Sequence, residues 1–245
     1  MGTTEERLNS TMPPHDRWVQ VEFNGQKKRF AFPASEPASV VLGTMQEIFE
    51  DETYIGSLPD CDINPGDVVV DGGGYLGMFS WYALMKGASK VYTFEPNPRM
   101  FPYCRRNLAK TKAEVSQFGL WNELRLSPTR LRLRVNWGNQ CSARVVNQGD
   151  KFDCWINANR LDSAVAGPVQ FLKLDVEGSE VEALEGARNI ITNYAPTLAV
   201  ALYHKPGDVE RICETVKSFG GWYAQCGPPE ITGGKYAVGI WNRQT

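Results

Sequence analysis

Three short segments carry side chains whose types and spacing could do chemistry. The first is Asp71-Gly72-Gly73-Gly74-Tyr75-Leu76-Gly77, directly after the apolar run Val68–Val70. Gly72, Gly74 and Gly77 satisfy the G-x-G-x-x-G spacing of nucleotide-type ligand loops. Such glycines permit a tight turn and a close approach of backbone to ligand, and the helix that follows offers its free N–H groups. Glu95 closes the next apolar run, and its two oxygens can accept hydrogen bonds from the two hydroxyls of a ribose. These features fit either a nicotinamide dinucleotide or S-adenosylmethionine. Asp71 separates the two, because a carboxylate at the strand end repels a pyrophosphate but suits an ammonium or sulfonium.

The second segment is Lys173-Leu174-Asp175-Val176-Glu177-Gly178-Ser179-Glu180. Asp175 and Glu177 leave the end of an apolar run, the edge where open α/β sheets bind ligands. A solvated turn with Ser179 capping the next helix is the plainer reading. Glu180 and Glu182 read as solvated helix positions. The third segment ends another apolar run at Tyr203-His204. A histidine there can act as a general base, or can be a hydrogen-bonded structural residue. His15 lies in a polar N-terminal stretch and reads as incidental.

The elements that must position these residues alternate in type. Val19, Val21 and Phe23, then Asn24-Gly25, then Phe30 and Phe32 read as a β-hairpin. Residues 38–52 read as a helix. Strands are expected at 68–70, 90–94, 113–120, 169–174 and 197–202, with helices after Gly77 and at 98–110, 179–193 and 207–219. Residues 123–135 read as two polar-alternating strands. Arg125, Arg130, Arg132 and Arg134 alternate there with leucines, as on a solvated hairpin face or one facing an anionic acceptor. The last strands, 222–226 and 235–241, have no helix between them and should pair antiparallel. Apolar strands alternating with helices predict an α/β fold, a doubly wound and mostly parallel Rossmann-like sheet with an antiparallel last strand. Trp121, Trp137 and Trp155 flank the β-rich stretch, as packing residues or as an acceptor wall.

Composition narrows the classes further. Across 245 residues, 42% hydrophobic and 22% charged content excludes disorder and coiled coil. A net charge of -2 gives no global attraction to nucleic acid or anionic membrane. No apolar run is long enough to cross a bilayer. The six cysteines form no C-x-x-C pair and only two histidines are present, so no metal is expected. No apolar leader is seen, and a cytoplasmic protein with reduced thiols is expected.

The segments VVVDGGGYLGMFS, KVYTFEPNP, QFLKLDVEGSEVEALEGA and ALYHKPGD, in that order, resemble the FkbM family of S-adenosylmethionine-dependent methyltransferases. The resemblance implies the class I methyltransferase fold, with S-adenosyl-L-methionine as cofactor. It implies a cofactor site of Asp71, Gly72, Gly74, Gly77, Glu95, Pro96, Asn97, Gly119, Leu120 and Asp175. His204, Asp175 and Glu177 would face the transferred methyl as catalytic residues. Gly73 stands where many members carry alanine or another small residue, a change expected to be harmless. Many members methylate hydroxyls of natural products or sugars, so a small-molecule or glycan acceptor is expected, with no nucleic-acid or membrane partner. Peptide or amine N-methylation, a nicotinamide oxidoreductase and a non-catalytic cofactor-binding module remain alternatives. The expected organisation is a tail at 1–16, an acceptor-side hairpin and helix at 17–60, and a catalytic domain at 61–245 with an insertion at about 122–160.

Overall fold

Runs such as Val68–Val70 and Leu198–Val200 have no polar face, so they are stable only inside a sheet covered on both sides. The computed structural model describes residues 16–55, 61–123, 129–136, 139–220, 222–226 and 238–243. Its main sheet contains β3 (Val68–Gly72), β4 (Lys90–Phe94), β5 (Ala113–Ser116), β10 (Phe171–Leu174), β11 (Thr197–Ala201), β12 (Trp222–Cys226) and β13 (Val238–Arg243). The order across it is β12-β13-β11-β10-β3-β4-β5. All pairings among β3, β4, β5, β10 and β11 are parallel. β13 enters antiparallel between β11 and β12, as the missing crossover helix predicts.

Alternate side chains of each strand feed two cores. Val69, Val91, Phe171 and Ala199 face one; Val70, Phe94, Leu172, Leu198 and Val200 face the other. The first core is closed by α2 (Met78–Met85) and α3 (Phe101–Asn107), and by an N-terminal layer. That layer is the hairpin β1 (Asp16–Phe23) and β2 (Gln26–Pro33), followed by α1 (Ala38–Phe49). Asn24 and Gly25 have φ of 49° and 72°, the paired left-handed residues of the expected tight turn. The second core is closed by α4 (Leu161–Ala164), α5 (Glu180–Gly186), α6 (Arg188–Tyr194) and α7 (Asp208–Ser218).

Several boundaries differ from the sequence expectation. The run 113–120 is not one strand: β5 ends at Ser116, and β6 (Gly119–Leu120) joins a second sheet. That sheet has the order β6-β9-β7-β8, with β7 (Thr129–Arg134), β8 (Arg144–Val146) and β9 (Cys154–Asn159). Residues 124–128, with Arg125, and residues 1–15, with His15, lie outside the described residues, as does Trp137. The expected helix 179–193 is two helices, α5 and α6, meeting at Ala187. Among the described residues no helix is long and apolar enough to cross a membrane.

One buried side chain ties the N-terminal layer to the sheet domain. Asn107 donates from Nδ2 to the Ala31 and Leu76 carbonyls, and its Oδ1 accepts from the Ala31 N–H. Asn107→Ala leaves these buried groups without partners. It should cost ~2–4 kcal/mol, or roughly 4–16 °C in Tm, with hydrogen-exchange protection lost first at β2. A Tm within 1 °C of wild type in a circular-dichroism melt contradicts this.

Candidate active site

A lysine in the middle of the apolar run Phe171–Leu174 needs a partner if it is to be buried. Lys173 is 4% exposed, and its Nζ lies 2.9 Å from Asp71 Oδ1 on the neighbouring strand. Ser80 Oγ donates to Asp71 Oδ2 at 2.7 Å. Lys173 Nζ also donates to the Gly73 carbonyl at 2.9 Å. The Asp71 carboxylate, fully buried, is therefore occupied by the protein's own lysine and serine. This changes the expectation that Asp71 meets a cationic ligand directly: its place is beneath the glycine loop, which it holds through Lys173.

The glycine loop has no room for side chains. Gly73 has φ +84°, and a Cβ there would lie 1.8 Å from the Asp175 carbonyl oxygen. Glycine at this position is what this backbone requires, and alanine would not fit here. A Cβ on Gly74 would lie 2.4 Å from Thr93 Cγ2. Gly73, Gly74 and Tyr75 border a cavity of about 960 Å³; Gly72 and Gly77 pack behind the loop. Tyr75 Oη donates to Glu36 Oε1 at 2.7 Å, so the N-terminal layer also holds the loop.

Glu95 borders the same cavity and is 6% exposed. Its two oxygens accept the N–H groups of Tyr75 and Asn97 at 2.6 and 2.7 Å, and each retains a second lone pair. Burial pushes its carboxyl up to about 7. Pro96, Gly119 and Leu120 line the cavity beside it, with Phe94 and Phe118. Asn97 does not line it. Buried at 2% exposure, Asn97 builds the turn into α3 by accepting the Arg99 N–H.

At the far wall, Asp175, Glu177 and His204 come together. His204 Nε2 lies 3.3 Å from Asp175 Oδ1 and 3.5 Å from Glu177 Oε2. Its Nδ1 lies 2.9 Å from Glu180 Oε1. Glu180 is not a solvated helix position: it is 1% exposed and accepts the Val176 and Gly178 N–H groups. Ser179 makes no side-chain hydrogen bond to the helix, so the expected cap is not formed. Glu177 has φ +57°, a left-handed conformation uncommon outside glycine.

Burial alone would lower the His204 pKa. Glu180, Asp175 and Glu177 outweigh it and push the ring up to about 9. Burial, then the Asp175 charge, raises Glu177 to about 8. With no ion bound, these carboxylates favour the protonated ring, which argues against the assumption of a neutral imidazole.

Tyr54, Glu47 and Tyr203 complete this wall and were not picked out from sequence. Tyr54 Oη donates to Asp175 Oδ2 at 2.6 Å and lies 3.1 Å from Glu47 Oε1; Tyr203 Oη donates to Asp175 Oδ1 at 3.4 Å. Burial, then Asp175, raises Glu47 to about 7. Helix α1 lines the cavity with Ser39, Gly43, Thr44 and Glu47, and the second sheet lines it with Leu131, Leu133, Val145 and Ile156. The opposite face of that sheet carries Arg130 and Arg132, each stacked 5.3 Å from the Trp155 ring. Trp155 and Trp121 do not border the cavity.

Among the described residues the cavity presents five carboxylates (Glu47, Asp51, Glu95, Asp175, Glu177) against Lys173 and His204. Such a lining repels a pyrophosphate and attracts a sulfonium or ammonium. The glycine floor, the buried Glu95 acceptor and the apolar wall beside it fit S-adenosylmethionine. The volume is at the upper end for small-ligand pockets, leaving room for a second molecule.

The family model of the methyltransferase FkbM domain matches residues 60–223. Similar solved structures include the FkbM methyltransferase of Methylobacillus flagellatus KT, at 19% identity and TM-score 0.55. The alignment covers 83% of this chain and 52% of that one, so the chain spans about half its length. An rRNA methylase of Streptococcus thermophilus is 14% identical with TM-score 0.48, over 75% of this chain and 90% of that one. A Streptococcus mutans methyltransferase in complex with SAH is 11% identical with TM-score 0.47, over 76% and 92%. At these identities the likeness is one of fold. No curated protein matches the chain.

Two stability measurements test this geometry. Lys173→Met leaves Asp71 buried and unpaired, and should cost about 3–5 kcal/mol; Lys173→Met with Asp71→Asn should recover at least half. Equal melts for the single and double variants contradict the pairing. The second measurement is pH dependence. Glu47, Glu95 and Glu177 ionise near 7–8 in the fold but near 4.5 when unfolded, and His204 near 9 rather than 6.5. The folded chain therefore binds more protons over this range, and stability falls as pH rises. The carboxylates' contribution is complete below their unfolded pKa and lost through about 7–8; that of His204 is complete below 6.5 and lost through about 9. The ligand-free Tm should fall steadily across this range, and a rising Tm contradicts it.

Proposed function

The chain belongs to the FkbM methyltransferase family, and from that premise we propose that it O-methylates a hydroxyl of a small natural product or sugar. The methyl donor is S-adenosylmethionine. The observation that carries the reading is one acidic cavity lined both by Glu95 and by the Asp175, Glu177 and His204 group. Glu95 suits the donor's nucleoside. The Asp175, Glu177 and His204 group, in a cavity also lined by α1 and the second sheet, suits the acceptor.

When bound, the donor supplies an electrophilic methyl on a positively charged sulfur. The protein's residues do the rest. Glu95 would accept hydrogen bonds from the ribose hydroxyls, and Pro96, Gly119 and Leu120 would pack beside the adenine. Lys173 holds the Gly73 carbonyl, which fixes the loop against the donor's amino-acid end. The acceptor hydroxyl is held beside Asp175 and Glu177, and proximity to the methyl accounts for much of the rate.

The hydroxyl proton goes to a carboxylate oxygen of the Asp175/Glu177 pair. His204 lies within 3.5 Å of both and orients them, and with no ion bound they favour its protonated form. The five cavity carboxylates disfavour an anionic acceptor such as nucleic acid and favour a neutral polyol. The thiols of Cys104, Cys141 and Cys154 suit a reducing, cytoplasmic setting.

Calorimetry and single-turnover methyl transfer over a panel of sugars, phenolic metabolites and amines test the proposal. Tight S-adenosylmethionine binding is expected, with transfer to hydroxyls. Asp175→Asn and Glu177→Gln should lower the transfer rate about 10²–10⁴-fold in at least one case. NADH binding in place of S-adenosylmethionine overturns the donor, and transfer to amines alone overturns the acceptor. An unchanged rate in both carboxylate variants removes their role as base.

A further inference from the structure

His204 stands among acceptors only. Its side chain is 8% exposed. Nδ1 faces Glu180, and Nε2 faces Asp175 and Glu177, all within 3.5 Å. Neither ring nitrogen has a hydrogen-bond partner of suitable geometry. A neutral imidazole has one N–H and one lone pair, and the lone pair needs a donor or a cation. Among the described residues no neighbouring side chain is seen to supply one: Tyr54 and Tyr203 direct their hydroxyls to Asp175, and Lys205 directs its Nζ to the Gly178 carbonyl. Lys173 is held by Asp71 and Gly73. The ring must therefore take a second proton or meet a metal ion.

The surrounding oxygens suit the ion. Asp175, Glu180 and His204 can each offer one ligand atom, with all three atoms within 4.8 Å of one another. We propose that Asp175, Glu180 and His204 form a divalent-cation site at the acceptor end of the cavity, with Glu177 flanking it. One imidazole nitrogen with carboxylate oxygens suits a first-row ion such as Mn²⁺ better than Ca²⁺. Glu180 is pre-set by the Val176 and Gly178 amides. Asp175 and Glu177 are 20% and 23% exposed, so the ion keeps an open side toward the cavity. The sequence reading missed this site because it weighed cysteine and histidine spacing, whereas most of these ligands are carboxylates from one turn.

The inference rests on the proposed function only for the ion's use, which is to hold and acidify an acceptor hydroxyl. The site itself is measured without donor or acceptor. Chelator-treated protein is titrated with Mn²⁺ by calorimetry and by electron paramagnetic resonance. One ion per chain is expected, with electron spin echo modulation from one imidazole nitrogen. Asp175→Asn and His204→Gln should each weaken binding at least about 10-fold. His204→Gln should also abolish the nitrogen modulation, and His15→Gln should keep it. If a variant fails to fold by circular dichroism, the wild-type signature and the His15→Gln control decide. No Mn²⁺ binding, no nitrogen modulation in wild type, or unchanged binding in both folded site variants overturns the proposal. None of these outcomes bears on whether S-adenosylmethionine binds.

Discussion

The Asp71–Lys173 pair is the constraint on which the rest of the site depends. It joins adjacent strands at their C-terminal ends, with both side chains nearly free of solvent. A buried ion pair is weak support for stability in itself, since desolvation offsets its attraction. What it supplies is position. Lys173 reaches the Gly73 carbonyl, Gly73 lies against the Asp175 backbone, and Asp175 meets Tyr54, Tyr203 and His204. One lysine thereby sets the distance between the floor of the cavity and its far wall.

That chain of contacts explains why the acidic wall holds protons so firmly. Few positive charges face many carboxylates, and Asp71 already occupies the nearest one. Burial and the neighbouring charges favour a proton on Glu177 and on His204 when no ion is bound, with few counter-charges among the described residues. An arrangement of this kind is costly in the empty protein and relieved by positive charge, which is the behaviour of a binding site rather than of a structural core.

Much of the fold was legible in sequence because apolar runs and glycine punctuation report directly on a covered parallel sheet. The strand ends that carry Glu95, Asp175 and His204 were legible for the same reason. Three things were not. The break between Ser116 and Gly119 sends one apolar-looking run into two sheets, and period alone cannot show a change of partner. Asp71 was assigned to the ligand because its true partner lies 102 residues away. Glu180 looked solvated because helical position says nothing about the backbone amides that fold back onto it. In each case the missing information was a contact between segments distant in the chain.

The tie between Asn107 and Ala31 spans 76 residues, and that between Tyr54 and Asp175 spans 121. During synthesis the N-terminal layer leaves the ribosome first, yet these anchors exist only after β3 to α3, and then β10, have followed. Segments made early thus wait for partners made later in the chain. Val21, Phe30 and Phe32, buried in the finished protein, remain uncovered for most of that interval. The hairpin's tight Asn24-Gly25 turn gives it local order during the wait, and the charged Lys27, Lys28 and Arg29 beside that turn discourage pairing with a neighbouring nascent chain.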